Sequence, residues 1–335
     1  MVILWLASPR GASHFCRSFR WENYVAELSG LKRGRARIRL AAAATAVALL
    51  VTGTAAGAAS AADRPTPAPA ANAVSTPSSG GSAFGIQAEP GDAPVNALYG
   101  VNSPGDVYGY PPNGSGGLDS RIWSGDGWDI IKHATQVDND ADGNSDGFWQ
   151  ITGTGGVYYG GWGQQPFSIG SGWHIYNKMV SPGNLAGGVA DDLIARDGSG
   201  ALWIYLGYGN GKVNTRKKVG GGWQIYNQIT GKGDLTGDGK ADIVARDGSG
   251  TLWLYKGTGS HSAPFATRTR IGTGWNQFNA LVSVGDIDID GRTDLIARDT
   301  LGALYLYKGT GSAAAPFKPR VKIGTSGWNT YRLLF

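Results

Sequence analysis

Residues 286–294 of this chain read DIDIDGRTD, which places aspartates at positions one, three, five and nine of a nine-residue segment, with glycine at position six. Ca²⁺ takes six to eight oxygen ligands at flexible angles, so a loop that turns several carboxylates inward can hold it. Glycine at position six permits the left-handed backbone that bends such a loop. The apolar run 295–297 follows directly, without helical periodicity or a glutamate at position twelve. The stretch therefore predicts a calcium loop that leads into a β-strand.

The same loop recurs along the chain. Residues 138–146 (DNDADGNSD) are a full copy, and residues 234–242 (DLTGDGKAD) keep three aspartates and offer the Thr236 hydroxyl at position three. A fourth copy at 184–192 has lost most of its acidic positions, so we do not expect it to bind metal. Asp-Gly segments also form good solvent-exposed turns. Three loops with matched nine-residue spacing nevertheless favour metal binding.

The first 61 residues have the organisation of an export signal. Residues 32–39 are rich in lysine and arginine, residues 40–51 are apolar, and Ala59-Ser60-Ala61 supplies small residues before a predicted cut at Ala62. This order is typical of a secretory signal peptide. An uncleaved membrane anchor is the alternative, although a run of twelve apolar residues is short for a membrane span. We therefore expect a secreted, extracellular protein.

Composition divides the rest into two parts. Residues 62–84 are rich in Pro, Ala and Ser and predict a disordered linker. The repeats of residues 85–335 follow, and we expect this part to be a monomer without a membrane span. The lone cysteine, Cys16, lies in the leader, so the exported part has no disulfide. Bound calcium can stabilise such a fold because it binds only the native state.

The net charge of +5 belongs mostly to the leader. The whole chain has 30 basic and 25 acidic residues, of which residues 1–61 hold eight and two, so the remainder holds 22 against 23. No basic stripe remains to neutralise phosphates. Nucleic acid is therefore not an expected partner.

From residue 85 the chain consists of five similar units that start near residues 89, 138, 184, 234 and 286. Residues 241–255 match residues 191–205 and 293–307, and each unit also carries a Gly-Trp pair. Within a unit, the loop, an Asp-Gly-Ser-Gly hairpin turn and the Gly-Trp segment separate four predicted strands, one of them an outer strand at 265–272. Repeats of this length with a periodic aromatic predict propeller blades.

We therefore predict an all-β fold, a five-bladed β-propeller of four-stranded antiparallel blades. The last residues, 331–335, are equivalent to the strand that precedes a calcium loop. They are expected to complete the first blade and close the ring. An open β-solenoid is the alternative, but its end strands would be unprotected edges.

The repeats of residues 85–335 resemble the FG-GAP/VCBS repeat family, the secreted bacterial relatives of the integrin propeller, most strongly in the last three units. The similarity lies in GDLTGDGKAD at 233–242, ARD at 245–247 and LWLY at 252–255. It implies calcium in the loop between the first two strands of a blade, at three sites. Side chains at positions one, three, five and nine and the backbone carbonyl at position seven would be the ligands: Asp138, Asp140, Asp142, Asn144 and Asp146; Asp234, Thr236, Asp238, Lys240 and Asp242; Asp286, Asp288, Asp290, Arg292 and Asp294.

A shorter resemblance involves residues 98–108 and the recurring GSGW and GTGW segments. These are similar to tachylectin-type five-bladed lectins, a family that implies sugar sites between the blades. The five units agree with that family, whereas the acidic loops do not belong to it.

Three classes of function compete. An extracellular recognition module for a glycan or protein ligand is favoured, since propellers mostly present loops for recognition. A propeller-based hydrolase or lyase acting on an extracellular polymer is the alternative, and a structural role is the third. The sequence has no Gly-x-Ser-x-Gly elbow of the hydrolase kind, and His133, His174 and His261 occupy unmatched places in their units. We therefore expect a non-catalytic protein.

The tryptophans and arginines of the repeats are assigned three different roles. The tryptophans of the five Gly-Trp pairs recur at one place per unit, which favours packing between blades over ligand contact. Arg196, Arg246 and Arg298, in Ala-Arg-Asp segments, are interpreted as hydrogen-bond donors between blades. Trp162 departs from the repeat pattern and is the candidate ligand-binding residue.

Overall fold

The computed structural model describes residues 92–335. It contains five four-stranded antiparallel sheets, so the predicted all-β, five-bladed propeller is confirmed. The predicted signal peptide, with its cut at Ala62, and the linker 62–84 lie outside the described residues. The domain boundaries therefore stay predictions.

Each blade takes its innermost strand from the end of one repeat unit and its other three strands from the next unit. The blades are formed by β20 with β1–β3, by β4–β7, by β8–β11, by β12–β15 and by β16–β19. In chain order the strands are β1 (Leu98–Asn102), β2 (Val107–Tyr110), β3 (Ile122–Gly125), β4 (Ile131–Val137), β5 (Gly147–Thr152), β6 (Val157–Gly161), β7 (Phe167–Gly170), β8 (Tyr176–Gly183), β9 (Asp192–Asp197), β10 (Leu202–Tyr205), β11 (Lys217–Gly220), β12 (Tyr226–Thr230), β13 (Ile243–Asp247), β14 (Leu252–Tyr255), β15 (Thr269–Gly272), β16 (Phe278–Val282), β17 (Leu295–Asp299), β18 (Leu304–Tyr307), β19 (Val321–Gly324) and β20 (Tyr331–Leu334).

The Gly-Trp segments carry the chain from the outer edge of one blade to the innermost strand of the next. Each glycine is left-handed, with φ between 78° and 88°, a conformation that glycine adopts without steric cost. A single 3-10 turn follows, at Trp128–Ile130, Trp173–Ile175, Trp223–Ile225, Trp275–Gln277 and Trp328–Thr330.

One predicted strand is shorter than expected. The alternating segment 265–272 forms β15 only from Thr269, while Phe265 makes an isolated bridge with Gly257. The hairpin turns are confirmed, because the Asp247 carboxylate accepts the backbone N–H groups of Ser249 and Thr251, each at 3.0 Å.

The C-terminal strand closes the ring, as predicted. In β20, Leu334 pairs with Gly100 and Leu333 with Val101 of β1. Tyr99 and Phe335 exchange backbone hydrogen bonds of 2.8 and 3.1 Å. The Phe335 ring is stacked on Trp128, with centroids 5.6 Å apart, so the last residue also packs between the first two blades.

Apolar clusters fill the spaces between neighbouring blades. In one of them Leu202 and Ile204 of the third blade pack with Ile229 and Ile243 of the fourth. The Gly-Trp residue Trp223 belongs to this cluster and lies 4.6 Å from the Tyr255 ring. Trp173, Trp275 and Trp328 occupy the equivalent places in three further clusters. The packing interpretation of these tryptophans is therefore confirmed.

A cation on one blade donates hydrogen bonds to the Gly-Trp segment of the next. The Arg196 guanidinium donates to the carbonyls of Trp223, at 3.0 Å, and Tyr226. Arg246 and Arg298 make the equivalent bonds one and two blades further on. The prediction that these three arginines join the blades is confirmed.

The two remaining interfaces use a different residue for the same bond. Register places Val101 and Ile151 where the other blades have arginine. In these blades the cation comes from the innermost strand instead. Arg332 donates to the carbonyl of Ile131 at 2.7 Å, and Lys132 donates to that of Tyr176 at 3.1 Å. All five interfaces therefore contain a cation-to-carbonyl hydrogen bond.

We predict that Arg246→Met lowers the free energy of unfolding by about 3 kcal/mol, because two buried carbonyls lose their charged donor. Arg270→Met, on the exposed face of β15, is the matched control and should change it by less than about 0.5 kcal/mol. Urea unfolding of both variants measures the difference. Equal effects would contradict the role assigned to Arg246.

Candidate metal centre and adjoining cleft

The acidic loops connect the innermost strand of a blade to its second strand. Residues 138–146 join β4 to β5, residues 234–242 join β12 to β13, and residues 286–294 join β16 to β17. This is the position that the FG-GAP/VCBS resemblance implies. The degenerate loop 184–192 lies in the same place in the third blade.

The aspartate at position one holds each loop in shape. Asp286 accepts the N–H groups of Ile289, at 2.7 Å, and Gly291, at 2.6 Å, and Asp138 makes the equivalent bonds. The glycine at position six is left-handed, as expected, with φ of 83° at Gly291. Position four is left-handed as well, with φ of 57° at Ile289, which costs a non-glycine residue about 1 kcal/mol or more. Gly237, at position four of the loop 234–242, is the feature of the sequence from which this left-handed conformation could have been predicted.

Two of the three predicted sites gather carboxylates. Oxygens of Asp138, Asp140 and Asp146 lie within 4.8 Å of one another, and so do those of Asp286, Asp288 and Asp294. These are positions one, three and nine, so the aspartates at position five stay outside the clusters. In the described residues the loop 234–242 forms no such cluster, because Thr236 replaces the carboxylate at position three.

Position seven was predicted to contribute only its backbone carbonyl. The side chains of Lys240 and Arg292 are exposed, and Arg292 lies 3.7 Å from Asp290. Asn144 holds position seven of the first loop, and its side chain, unlike those of Lys240 and Arg292, is buried. Its side chain therefore adds an oxygen to the first loop that the sequence pattern did not indicate.

Each carboxylate cluster has a buried oxygen without a hydrogen-bond partner. In the loop 138–146 this atom is Oδ1 of Asn144, and in the loop 286–294 it is Oδ1 of Asp288, a side chain only 8% exposed. An unsatisfied buried acceptor is costly, and a hard cation would supply the missing partner. The residues of these two loops therefore fit a divalent cation, which would be held by the carboxylate oxygens. Among the described residues, the loop 234–242 has no orphaned oxygen of this kind.

Burial raises the pKa of the aspartates that would hold the cation. The pKa of Asp138 rises to about 7, first through burial and then through the negative charge of Asp191. Burial likewise raises the pKa of Asp286 to about 6 and that of Asp294 to about 7. A nearby divalent cation favours the ionised form, so metal binding and proton release are coupled here.

The aspartate at position nine also has a structural role. Asp294 accepts the N–H groups of Ile287, at 2.9 Å, and Gly309, at 2.7 Å, and so ties the loop to the end of the third strand of the blade. Asp192 does the same in the degenerate loop, where no metal is expected. The recurrence of this aspartate therefore does not by itself require a metal.

Lysines distinguish the three loops. Lys308 lies 2.7 Å from Asp288, and Lys256 lies 3.0 Å from Asp238. These lysines occupy equivalent places after β18 and β14. Within residues 92–335, no lysine or arginine forms an ion pair with the aspartates of the loop 138–146. This loop is the one whose carboxylates are free to take a cation without displacing an ammonium group.

A cleft of about 440 Å³ adjoins the first loop. Its lining includes the loop carboxylates together with Tyr159, Gln164 and Asn210. Trp162, singled out in the sequence as the unmatched tryptophan, also lines the cleft, and its indole N–H donates to the carbonyl of Ser145. An aromatic surface, amides and the candidate metal loop therefore share one cleft. The sequence pattern alone does not show this proximity.

Comparison with known families confirms part of the resemblance. Residues 234–297 match the FG-GAP-like repeat family, so the chain contains a repeat of that family. No curated protein is similar in sequence to this chain at a significant level.

Three solved structures are similar to this chain only distantly. The BP39L lectin from Burkholderia pseudomallei is 13% identical over 69% of this chain and 70% of its own, with a TM-score of 0.43. AofleA from Arthrobotrys oligospora is 9% identical over 71% and 75%, with a TM-score of 0.40. The Pan2 WD40 domain from Neurospora crassa is 9% identical over 70% and 80%, with a TM-score of 0.33. These similarities are too weak to assign a ligand.

The described residues contain no apolar helix of sufficient length to span a membrane.

The pKa of His133 is lowered to about 4, mainly by burial, so this side chain is neutral near pH 7. It lines the central channel and is hydrogen-bonded to backbone rather than to a nucleophile. The alternative of a hydrolase or lyase gains no support from this residue.

We predict that Lys308→Met raises the calcium affinity of the loop 286–294 by about tenfold, because the cation no longer competes with an ammonium group for Asp288. The metal-free variant should unfold more easily than the wild type, since Asp288 loses its partner. Isothermal calorimetry and thermal unfolding, each with and without EDTA, measure both effects. Lys217→Met, on the exposed β11, is the control; an unchanged calcium affinity in Lys308→Met would refute the competition.

Proposed function

We propose that this protein is a secreted recognition module in which Ca²⁺ stabilises the propeller and helps to bind an extracellular glycan. The cleft beside the loop 138–146 carries the proposal. Carboxylate, amide and aromatic groups converge there, the combination that recognises a polyhydroxylated ring with apolar faces.

The coordination number of calcium leaves room for the ligand. Asp138, Asp140 and Asp146, with the orphaned Oδ1 of Asn144, would supply about four oxygens, whereas Ca²⁺ takes six to eight. Water or a pair of sugar hydroxyls can complete the shell from the cleft side. Among the described residues, the aspartates of the loop 138–146 form no ion pair, which favours this loop over the other two as the ligand-binding one.

The rest of the cleft would orient the sugar. Gln164 and Asn210 offer amide donors and acceptors, and Tyr159 offers a hydroxyl that already accepts a hydrogen bond of 2.8 Å from Asn139. Trp162 is half-buried against Phe148, with ring centroids 4.6 Å apart, which fixes its orientation. A fixed aromatic ring binds a sugar at little cost in side-chain entropy.

Export rests on the leader sequence. A protein cut before Ala62 would meet millimolar calcium outside the cell, where modules with weak calcium sites are occupied. Sequencing the N-terminus of the exported protein tests this step. A chain that retains residues 32–51 would instead be anchored by its apolar segment.

The glycan proposal predicts binding on a glycan array in calcium and its loss in EDTA. Trp162→Ala should reduce the binding by about tenfold or more, since an aromatic contact contributes about 1.5 kcal/mol. Trp123→Ala, which removes a tryptophan that is 52% exposed on β3, is the matched control and should bind normally.

A second pair of variants tests the metal part of the site. Asp140→Asn changes position three beside the cleft, and Asp288→Asn changes the same position in the loop whose aspartate pairs with Lys308. Only the first should weaken glycan binding. An array without any signal would turn the proposal towards a protein ligand, and turnover of an extracellular polymer would favour the enzyme alternative.

A further inference from the structure

The innermost strands of the five blades surround a cavity of about 140 Å³ on the axis of the propeller. Position three of these strands faces it, which brings His133, Lys178, Gln228 and Leu333 to one level of the channel. The residue that completes the ring, Ala280, is small. Three polar side chains therefore face one another at this level.

The channel has an excess of positive charge. It is lined by no aspartate or glutamate, and its two lysines are Lys178 and Lys232. Lys232 is paired with the buried Asp191 at 2.5 Å. Within residues 92–335, Lys178 forms no ion pair; burial lowers its pKa first, and the positive charges of Arg196 and Arg246 lower it further.

His133 also lies beside positive charge. Its Nε2 atom is buried and has no hydrogen-bond partner. The positive charges of Lys132 and Lys178 act on its ring and lower its pKa, whereas a hydrogen bond with the Tyr176 backbone acts in the opposite direction. The His133 imidazole and the Lys178 ammonium group thus lie together on the axis. An anion would neutralise Lys178 and, once Nε2 of His133 is protonated, accept a hydrogen bond from it.

We propose that the level of His133, Lys178 and Gln228 in the central channel is a binding site for a small oxyanion, such as a sulfate or carboxylate group. Lys178 supplies the charge, and His133 an N–H once it is protonated beside the anion. Gln228, whose Nε2 already donates to the Asn279 carbonyl at 3.1 Å, supplies its second amide N–H. The cavity would hold such a group together with water, which occupies about 30 Å³ per molecule. The site is separate from the cleft at the loop 138–146 and does not depend on calcium.

Titration of the full exported protein with sodium sulfate, followed by NMR of the histidine side chains, tests the site. The His133 signal should shift and saturate, and its pKa should rise in sulfate relative to chloride, because the bound anion favours the imidazolium. His174 is the internal control and should not respond. The same titration with acetate, glucuronate and glucose distinguishes a free anion from the acidic group of a sugar: glucuronate binding more tightly than acetate indicates the sugar, and equal binding indicates the free anion.

Lys178→Met should lower the sulfate affinity by about tenfold or more, since a charge-assisted hydrogen bond contributes about 1.5–3 kcal/mol. Lys178→Arg should keep most of the affinity, which guards against an effect of misfolding. Lys218→Met, on the exposed β11, removes one charge elsewhere and should bind as the wild type does. If the His133 signal does not shift in sulfate, or shifts equally in wild type and Lys178→Met, the site is refuted.

Discussion

Closure of the ring by the pairing of β20 with β1 is the constraint on which this structure depends. Every other blade takes its innermost strand from the preceding unit, and the first blade takes its innermost strand, β20, from residues 331–334. The exchange of backbone hydrogen bonds between Tyr99 and Phe335 and the stacking of Phe335 on Trp128 fasten that end. Because β20 pairs with the inner edge of β1, closure protects that edge from the addition of another strand.

At every interface between blades a cation donates a hydrogen bond to a backbone carbonyl, although the residue that supplies the cation differs. Three interfaces use arginine from the second strand, and an asparagine at position two of the innermost strand accepts a bond from that guanidinium, as Asn177 does from Arg196 at 2.8 Å. Where the second strand has Val101 or Ile151, the cation instead occupies position two of the innermost strand. The carbonyls of the Gly-Trp segment are thus satisfied at every interface, as buried polar groups must be.

The repeats are alike in backbone and different in chemistry. The loops 138–146, 184–192, 234–242 and 286–294 share the aspartate at position nine, which serves the fold in each of them. They differ in the lysine after the third strand and in the carboxylate at position three. The first loop combines a full carboxylate cluster with an open cleft, and that combination makes it the candidate for ligand binding.

The sequence by itself determined the number of blades, the four strands of each, the closure by the last residues and the position of the acidic loops. These features follow from local patterns repeated five times, and repetition makes a weak local signal readable. Only the tertiary structure decided which carboxylates meet, because Asp142 and Asp140 look equivalent in the chain and their distances to Asp138 depend on how the loop turns.

The pairing of Lys308 with Asp288, the place of Trp162 beside the first loop and the approach of His133 to Lys178 on the axis were also beyond the sequence. Each of these contacts joins residues from different strands or blades. Such distances are set by the packing of whole sheets around an axis, and no spacing along the chain records them.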